Sequence, residues 1–138
     1  MTRNNKGITL IELLAVLALL SMVLLLATSV HLFGQKQMSN QTSQIENQAN
    51  VRLAINILTK EIRKANRTEV SNNVLTINNT DTYTLEKNEI TKNGVAIISS
   101  IKDLKISKDG NKIKIDVTSI PDKNNQEVGL STEIFIRE

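Results

Sequence analysis

The chain contains no cysteine, no tryptophan, one proline, one histidine and three aromatic residues in all. Without cysteine it has no disulfide, no reactive thiolate and no cysteine-ligated zinc. The single histidine, His31, excludes a histidine metal cluster and a chain of histidine proton carriers. A length of 138 residues allows one domain of modest core and excludes a multidomain enzyme. With 17 basic and 14 acidic residues, the charge balance is too even to imply a nucleic-acid partner.

Charged residues are distributed very unevenly. No Asp, Glu, Lys or Arg occurs from Leu13 to Gln35, whereas residues 36–138 carry 15 basic and 13 acidic side chains. As a helix, the apolar stretch 8–33 is about 39 Å long, and the hydrocarbon core of a bilayer needs roughly 30 Å. The alternative is a buried helix of a soluble protein, but a chain of this size has no core large enough to surround it. We therefore predict that residues 8–33 span a membrane.

The basic residues that flank this stretch predict its orientation. Arg3 and Lys6 precede it closely, and the first basic residue beyond it is Lys36. Positive charge beside a first span holds that end in the cytoplasm, which places the remainder outside. A secretory signal peptide shares the basic start. However, residues 27–29 offer only a weak cleavage site, and they follow an unusually long apolar core.

One acidic residue, Glu12, lies inside the predicted span. An ionised carboxylate in a membrane helix costs on the order of 3 kcal/mol at mid-depth, less near an end, and usually marks function. A carboxylate one turn from a helix N-terminus also offsets the macrodipole. An acidic residue in the preceding loop would offset the macrodipole without entering the membrane. The macrodipole therefore does not explain why Glu12 lies inside the span, and Glu12 is the strongest functional candidate.

Residues 6–14 read Lys-Gly-Ile-Thr-Leu-Ile-Glu-Leu-Leu. The run resembles the N-terminal signature of type IV pilins and of the pseudopilins of type II secretion and competence systems. Ile8 stands where that family most often has phenylalanine, a mild departure because the position asks for a bulky apolar side chain. The resemblance implies that a prepilin peptidase cleaves between Gly7 and Ile8 and methylates the new amine. A glycine suits such a cut, because a residue without Cβ lets the backbone lie deep in the protease.

The same resemblance implies that Glu12 pairs with the N-terminal amine of a neighbouring subunit. Glu12→Ala should then be cleaved and inserted but should fail to join the filament. The chain is expected to be a non-enzymatic, minor structural subunit without cofactor or metal. Its expected partners are other subunits, the peptidase, the lipid bilayer and an inner-membrane assembly platform with a secretion-type ATPase. The alternative is a membrane-anchored extracytoplasmic binding or sensor domain that keeps its leader and does not polymerise.

Beyond a polar stretch, helical periodicity returns. Apolar residues recur at three- and four-residue steps, namely Val51, Ala54, Ile55, Leu58, Ile62 and Ala65. The pattern predicts one helix over residues 9–66, in which Gly34 offers a point for a bend. We expect its outer half to pack the apolar stripe on the C-terminal domain. A coiled coil is the alternative, but the stripe is short for one.

From Asn72 the pattern changes to period two with β-branched residues. Alternation and turn residues predict strands over 74–77, 82–85, 89–92, 95–98 and 132–137, the last with Ile134 and Ile136 inward. The dipeptide Asn93-Gly94 is the strongest two-residue hairpin signal in the chain.

Asp109-Gly110 offers a second hairpin. A turn at this dipeptide sets Ile106 opposite Ile113 and Leu104 opposite Ile115. The same register opposes Lys105 to Lys114 and Asp103 to Asp116, which is mildly unfavourable unless diagonal contacts offset it. Five lysines cluster here (Lys102, Lys105, Lys108, Lys112 and Lys114). They could touch DNA in a competence system, but interleaved aspartates and the lack of stacking aromatics favour a solvated sheet edge.

The predicted class is α+β, a long N-terminal helix, membrane-spanning in its first half, packed on a small antiparallel sheet as in pilins. The expected domains are a cleaved leader (1–7), a transmembrane assembly helix (8–33), an extracytoplasmic amphipathic helix (34–67) and an antiparallel β domain (68–138). Residues 48–63, followed by strands, most resemble J-type minor pseudopilins and competence pseudopilins. The absence of a cysteine pair departs from pilins that close a C-terminal disulfide loop.

Overall fold

The computed structural model describes residues 8–136. It contains one helix followed by eight strands. These are α1 (Leu10–Lys64), β1 (Thr68–Ser71), β2 (Val74–Ile77), β3 (Asp81–Glu86), β4 (Glu89–Lys92), β5 (Val95–Ile98), β6 (Ile101–Asp109), β7 (Lys112–Ser119) and β8 (Gly129–Phe135). The chain forms two compact units that divide between Ser39 and Asn40. The predicted α+β class, with one long apolar N-terminal helix and antiparallel strands, is confirmed.

Helix α1 differs in burial between its two parts. It continues through Gly34 without interruption, and the large apolar residues before that point are exposed. In the second unit, the predicted stripe is buried at Val51, Ala54, Ile55, Leu58 and Ile62, with Ala65 partly buried beside them. The stripe therefore packs into a core rather than forming the seam of a coiled coil.

The strands form two antiparallel sheets, not the single small sheet that was predicted. β1 to β5 make a five-stranded meander, and β6, β7 and β8 make a three-stranded sheet. The free edge of β6 meets turns of the first sheet, because the Ile101 amide donates to the Asn88 carbonyl (2.9 Å) and the Ile106 amide to Asn73 Oδ1 (3.3 Å). Turn residues of the first sheet therefore lie against this edge of β6.

Three strands differ from the prediction, and β3 does so only by one residue at each end. β1 was not predicted, because its four residues (Thr-Glu-Val-Ser) carry too little alternation. β8 runs over Gly129–Phe135 rather than over residues 132–137, because Leu130 between Gly129 and Ser131 is a single apolar residue and does not by itself indicate a strand. Ile134 is buried as predicted and Ile136 is half-buried.

Asparagine supplies most of the positive-φ positions in the tight turns. In the described part of the chain, seven of the nine non-glycine residues with positive φ are asparagines. Both central residues have positive φ at 72–73, 87–88 and 93–94, as type I′ hairpins require. Asparagine tolerates this conformation better than most residues, because its short amide bonds locally. The hairpin predicted at Asn93-Gly94 is confirmed.

The second hairpin is present, but its predicted register is wrong by two residues. The loop is Gly110-Asn111, so Ile106 faces Ile115 and Leu104 faces Val117. Gly110 occupies the first central position with φ 57°, where a type II′ turn needs glycine. The observed register places Lys105 opposite Asp116 instead of another lysine. A two-residue shift keeps each side chain on its face, so the predicted buried set survives the error.

Candidate functional site

The start of α1 is closed by a reciprocal pair of side chains. Thr9 immediately precedes the helix and Glu12 lies in its first turn. The Thr9 amide and hydroxyl donate to Glu12 Oε2 at 2.8 and 2.9 Å, and the Glu12 amide donates to Thr9 Oγ1 at 3.3 Å. This is a capping box, in which Thr9 is the N-cap and Glu12 occupies the third helical position.

The capping box adds Thr9 to the residues identified from the sequence. Its signal, Thr-x-x-Glu ahead of an apolar run, is contained in residues 9–12, within the longer N-terminal motif. The box supplies hydrogen bonds to the Glu12 carboxylate, but no cation. Within residues 8–136, no basic side chain forms an ion pair with Glu12.

Of the other residues predicted at this site, only Ile8 lies in the part of the chain that the structure describes. Ile8 lies next to the capping box and is 77% exposed. Arg3, Lys6 and Gly7, the predicted leader charges and the residue before the cut, lie outside the described residues.

The apolar part of α1 is long and apolar enough to cross a membrane. Its most apolar window has a mean hydropathy of 2.8, and none of that window is buried. Three hydroxyls in the apolar part of α1 donate to carbonyls of the preceding turn: Ser21 to Ala18, Thr28 to Leu24 and Ser29 to Leu25, at 2.8 to 2.9 Å. These bonds satisfy the hydroxyls without water, as a lipid environment requires.

Four of the five lysines clustered in the second sheet form ion pairs with acidic side chains. Lys102, Lys105, Lys112 and Lys114 form ion pairs with Glu127, Asp103, Glu133 and Asp116, respectively. Lys108 Nζ donates to the Thr68 carbonyl at 2.8 Å and ties the two sheets together. A hydrogen bond from Ser131, with a smaller effect of Lys114, lowers the pKa of Asp116.

A second polar cluster surrounds the only tyrosine. Lys92 Nζ lies 2.8 Å from Asp81 Oδ2 and 5.5 Å from the centre of the Tyr83 ring. Hydrogen bonds from Lys92 and Asn93 lower the pKa of Asp81, and the bond to Asp81 raises the pKa of Lys92. Burial raises the pKa of Tyr83, whose hydroxyl donates weakly to Glu61 (3.4 Å). The cluster joins the third and fourth strands to the helix and has a structural role.

The described residues contain no group of three or more potential metal-binding acidic or histidine side chains. An open cavity of 630 Å³ lies between the end of α1 and β8, far along the chain from Glu12. Nothing in its lining pairs a nucleophile with a base.

Residues 2–28 match the family model described as the prokaryotic N-terminal methylation motif. The matched segment contains Thr9, Glu12 and most of the exposed apolar helix. The chain therefore carries a prepilin signature of the type IV pilin kind at the head of a candidate membrane anchor. Such a motif implies processing by a prepilin peptidase and assembly with other pilin subunits. No curated protein and no solved structure is significantly similar to this chain.

Proposed function

We propose that this chain is a minor pilin or pseudopilin, a membrane-inserted subunit that joins an envelope-spanning filament after its leader is removed. The observation that carries the proposal is the match of residues 2–28 to the methylation motif, at the start of a helix whose most apolar window is unburied. Cleavage falls between Gly7 and Ile8, and methylation leaves the new amine of Ile8 positively charged.

In this proposal Glu12 has two separable roles. Its hydrogen bonds with Thr9 cap the helix, and its negative charge attracts the Ile8 amine of a neighbouring subunit. The cap supplies donors but leaves the charge unbalanced in lipid, which is unfavourable until another subunit brings a cation. Assembly therefore relieves a cost that the isolated subunit carries.

Two matched variants separate these roles. Glu12→Gln keeps a capping residue of nearly the same shape and removes the charge. Thr9→Val removes the N-cap hydroxyl and keeps the charge. We expect Glu12→Gln to be cleaved and inserted normally but to be missing from filaments sheared from the native host. Thr9→Val should still be incorporated. Normal incorporation of Glu12→Gln would show that the charge does not direct assembly.

Intact mass of the protein from its native host tests the processing step. A mature start at methylated Ile8 supports the filament subunit, and Gly7→Val should block cleavage. An uncut Met1 end in cells that contain the peptidase would contradict the proposal and favour the anchored binding or sensor domain. This measurement is independent of the assembly test, because uncut protein can still be inserted.

The orientation and subtype belong to the same proposal. Arg3 and Lys6 hold the N-terminus in the cytoplasm, and the second unit is extracytoplasmic. Helical residues 48–63 followed by antiparallel strands support a J-type or competence pseudopilin, working with an assembly platform and a secretion-type ATPase. The paired lysines of the second sheet leave little unbalanced charge for DNA. Protease protection in spheroplasts tests the orientation, and co-purified sibling subunits test the subtype.

A further inference from the structure

The part of α1 that belongs to the second unit carries an apolar ridge that the core does not cover. The ridge consists of four residues spaced four apart, namely Ile45, Ala49, Leu53 and Ile57. Ile45 is 65% and Leu53 is 46% exposed. Ala49 is also exposed, and Ile57 is only partly buried beside the core. Neighbours at this spacing touch along a helix, so the four residues form one surface about 18 Å long.

A row of polar and mainly basic side chains lies beside the apolar ridge. The exposed members of this basic row are also spaced four apart, namely Gln48, Arg52, Asn56, Lys60 and Lys64. Within residues 8–136, none of its three cations forms an ion pair. The lysines of the second sheet differ, because most of them are paired with acidic side chains. The basic row therefore carries positive charge that the described part of the chain does not balance.

We infer that the apolar ridge and the basic row bind the helix of a different subunit, whose own apolar ridge is flanked by acidic side chains. The inference rests on the proposed function and adds the kind of partner that this helix face fits. Acidic side chains opposite Arg52 and Lys60 supply the negative charge that is missing there. Apolar side chains of the same partner cover Ile45 and Leu53, which otherwise face water.

A second copy of this chain fits the same face poorly. Residues 40–64 contain four basic and only two acidic side chains. One of the two acidic residues, Glu61, already accepts a hydrogen bond from the Tyr83 hydroxyl (3.4 Å). Two copies would therefore bring together helix faces that are both basic, which costs free energy instead of gaining it. The charge of the helix favours a partner with a different sequence.

The shape of the face favours a helix over a lipid surface. The ridge is one side chain wide, and its first two turns have polar neighbours on both sides: Gln48 and Arg52 on one, Glu46 and Asn50 on the other. An amphipathic helix that lies on a bilayer needs a wider apolar face. A ridge of spacing four instead fits the grooves of a second helix, and such helices cross at about 20° when they are nearly parallel.

Membrane anchoring makes so small a contact sufficient. The apolar ridge covers about three helical turns, which is less than a stable complex in solution needs. Two subunits that are anchored in one membrane by their N-terminal helices hold those helices nearly parallel and at a high effective concentration. The contact therefore selects which subunit lies next to this chain, while the anchors supply the proximity.

Photocrosslinking in the native host tests the partner. A benzophenone amino acid in place of Asn56 stands at an exposed position one turn from Leu53. After irradiation of cells that contain the full chain, we expect an adduct with another chain that has a prepilin signature and an acidic extracytoplasmic helix, identified by mass spectrometry. The same group in place of Glu86, exposed at the end of β3, should give little of it. An adduct of two copies, an adduct with lipid only, or no adduct would overturn the inference.

Charge variants test the physical basis of the adduct. Arg52→Glu combined with Lys60→Glu replaces two attractions by repulsions and should lower the adduct yield about tenfold. Arg52→Lys combined with Lys60→Arg keeps both charges and should keep the yield. All four substitutions are at exposed positions, and emission of the buried Tyr83 checks that each variant is folded. An undiminished yield after charge reversal in a folded chain would contradict the inference.

The mass of the chain from the same cells separates this inference from the proposed function. An uncut Met1 end contradicts the proposed function, and the inference with it. A chain that is cut and incorporated into filaments but gives no adduct at Asn56 contradicts the inference alone.

Discussion

Replacing Leu58 by alanine tests how the helix is held to the sheets. Leu58 is fully buried, at 0% exposure, within the stripe that packs into the core of the second unit. Leu53, on the same helix, is 46% exposed and provides a matched control. Removing a fully buried leucine costs about 2–5 kcal/mol, because the lost transfer energy adds to the cost of the cavity. The half-exposed site leaves no enclosed cavity and should cost about 1 kcal/mol.

Translated to temperature, the difference between the two variants is large. For a domain of 60–100 residues, 1 kcal/mol shifts the melting temperature by about 4–8 °C. Leu58→Ala should therefore lower it by about 15 °C, and Leu53→Ala by only about 5 °C.

The single tyrosine provides the assay. Tyr83 is 1% exposed and the chain has no tryptophan, so its emission reports on the core alone. Urea titrations of the full chain in micelles, followed by tyrosine fluorescence and by far-UV circular dichroism, give the free energy of unfolding of each variant. Equal losses for Leu58→Ala and Leu53→Ala would refute the assignment of the buried face.

Three further predictions concern pH, a turn and the helix cap. The ion pair of Asp81 and Lys92 lowers the pKa of Asp81 and raises that of Lys92, so its stabilisation should fade as pH falls below 3.8 or rises beyond 10.5. In urea titrations against pH, Asp81→Asn should reduce the loss of stability on the acid side, and the contribution of Asp116, whose pKa is also lowered, should remain. Asn93→Ala should cost about 2 kcal/mol in thermal unfolding, and Asn93→Gly less, because glycine keeps the positive φ and loses only side-chain bonds. Thr9→Val should cost about 1 kcal/mol of local helix stability, visible as faster amide exchange in the first turn, and Thr9→Ser should restore protection.

The local parts of the fold could be predicted from sequence because their signals are local. The long apolar run indicates a span by length alone, and the stripe from Val51 to Ile62 predicts a buried helix face by its period. Residues 9–12 contain the complete capping signal, so Thr9 could have been identified in advance. The strands next to Asn93-Gly94 follow from alternation and one strong turn.

The register at Gly110 was less predictable for a physical reason. Asp109-Gly110 and Gly110-Asn111 both offer a plausible two-residue turn, and the two registers differ by two residues. Such a shift leaves every side chain on its original face, so apolar periodicity cannot distinguish the registers. The observed register places Lys105 opposite Asp116 and not opposite Lys114, a difference between residues distant in sequence that a local pattern does not report.

The amino-acid sequence on its own determined the apolar helix, the acidic residue within it, the buried stripe and most strands. Each of these features follows from residues close together in the chain, through helical periodicity or through the alternation of side chains along a strand. The tertiary structure alone decided that the strands divide into two sheets, that Lys102 and Lys112 pair with the distant Glu127 and Glu133, and that β8 is left with an open edge. These features depend on which strand ends meet, a matter of long-range packing that no local pattern encodes.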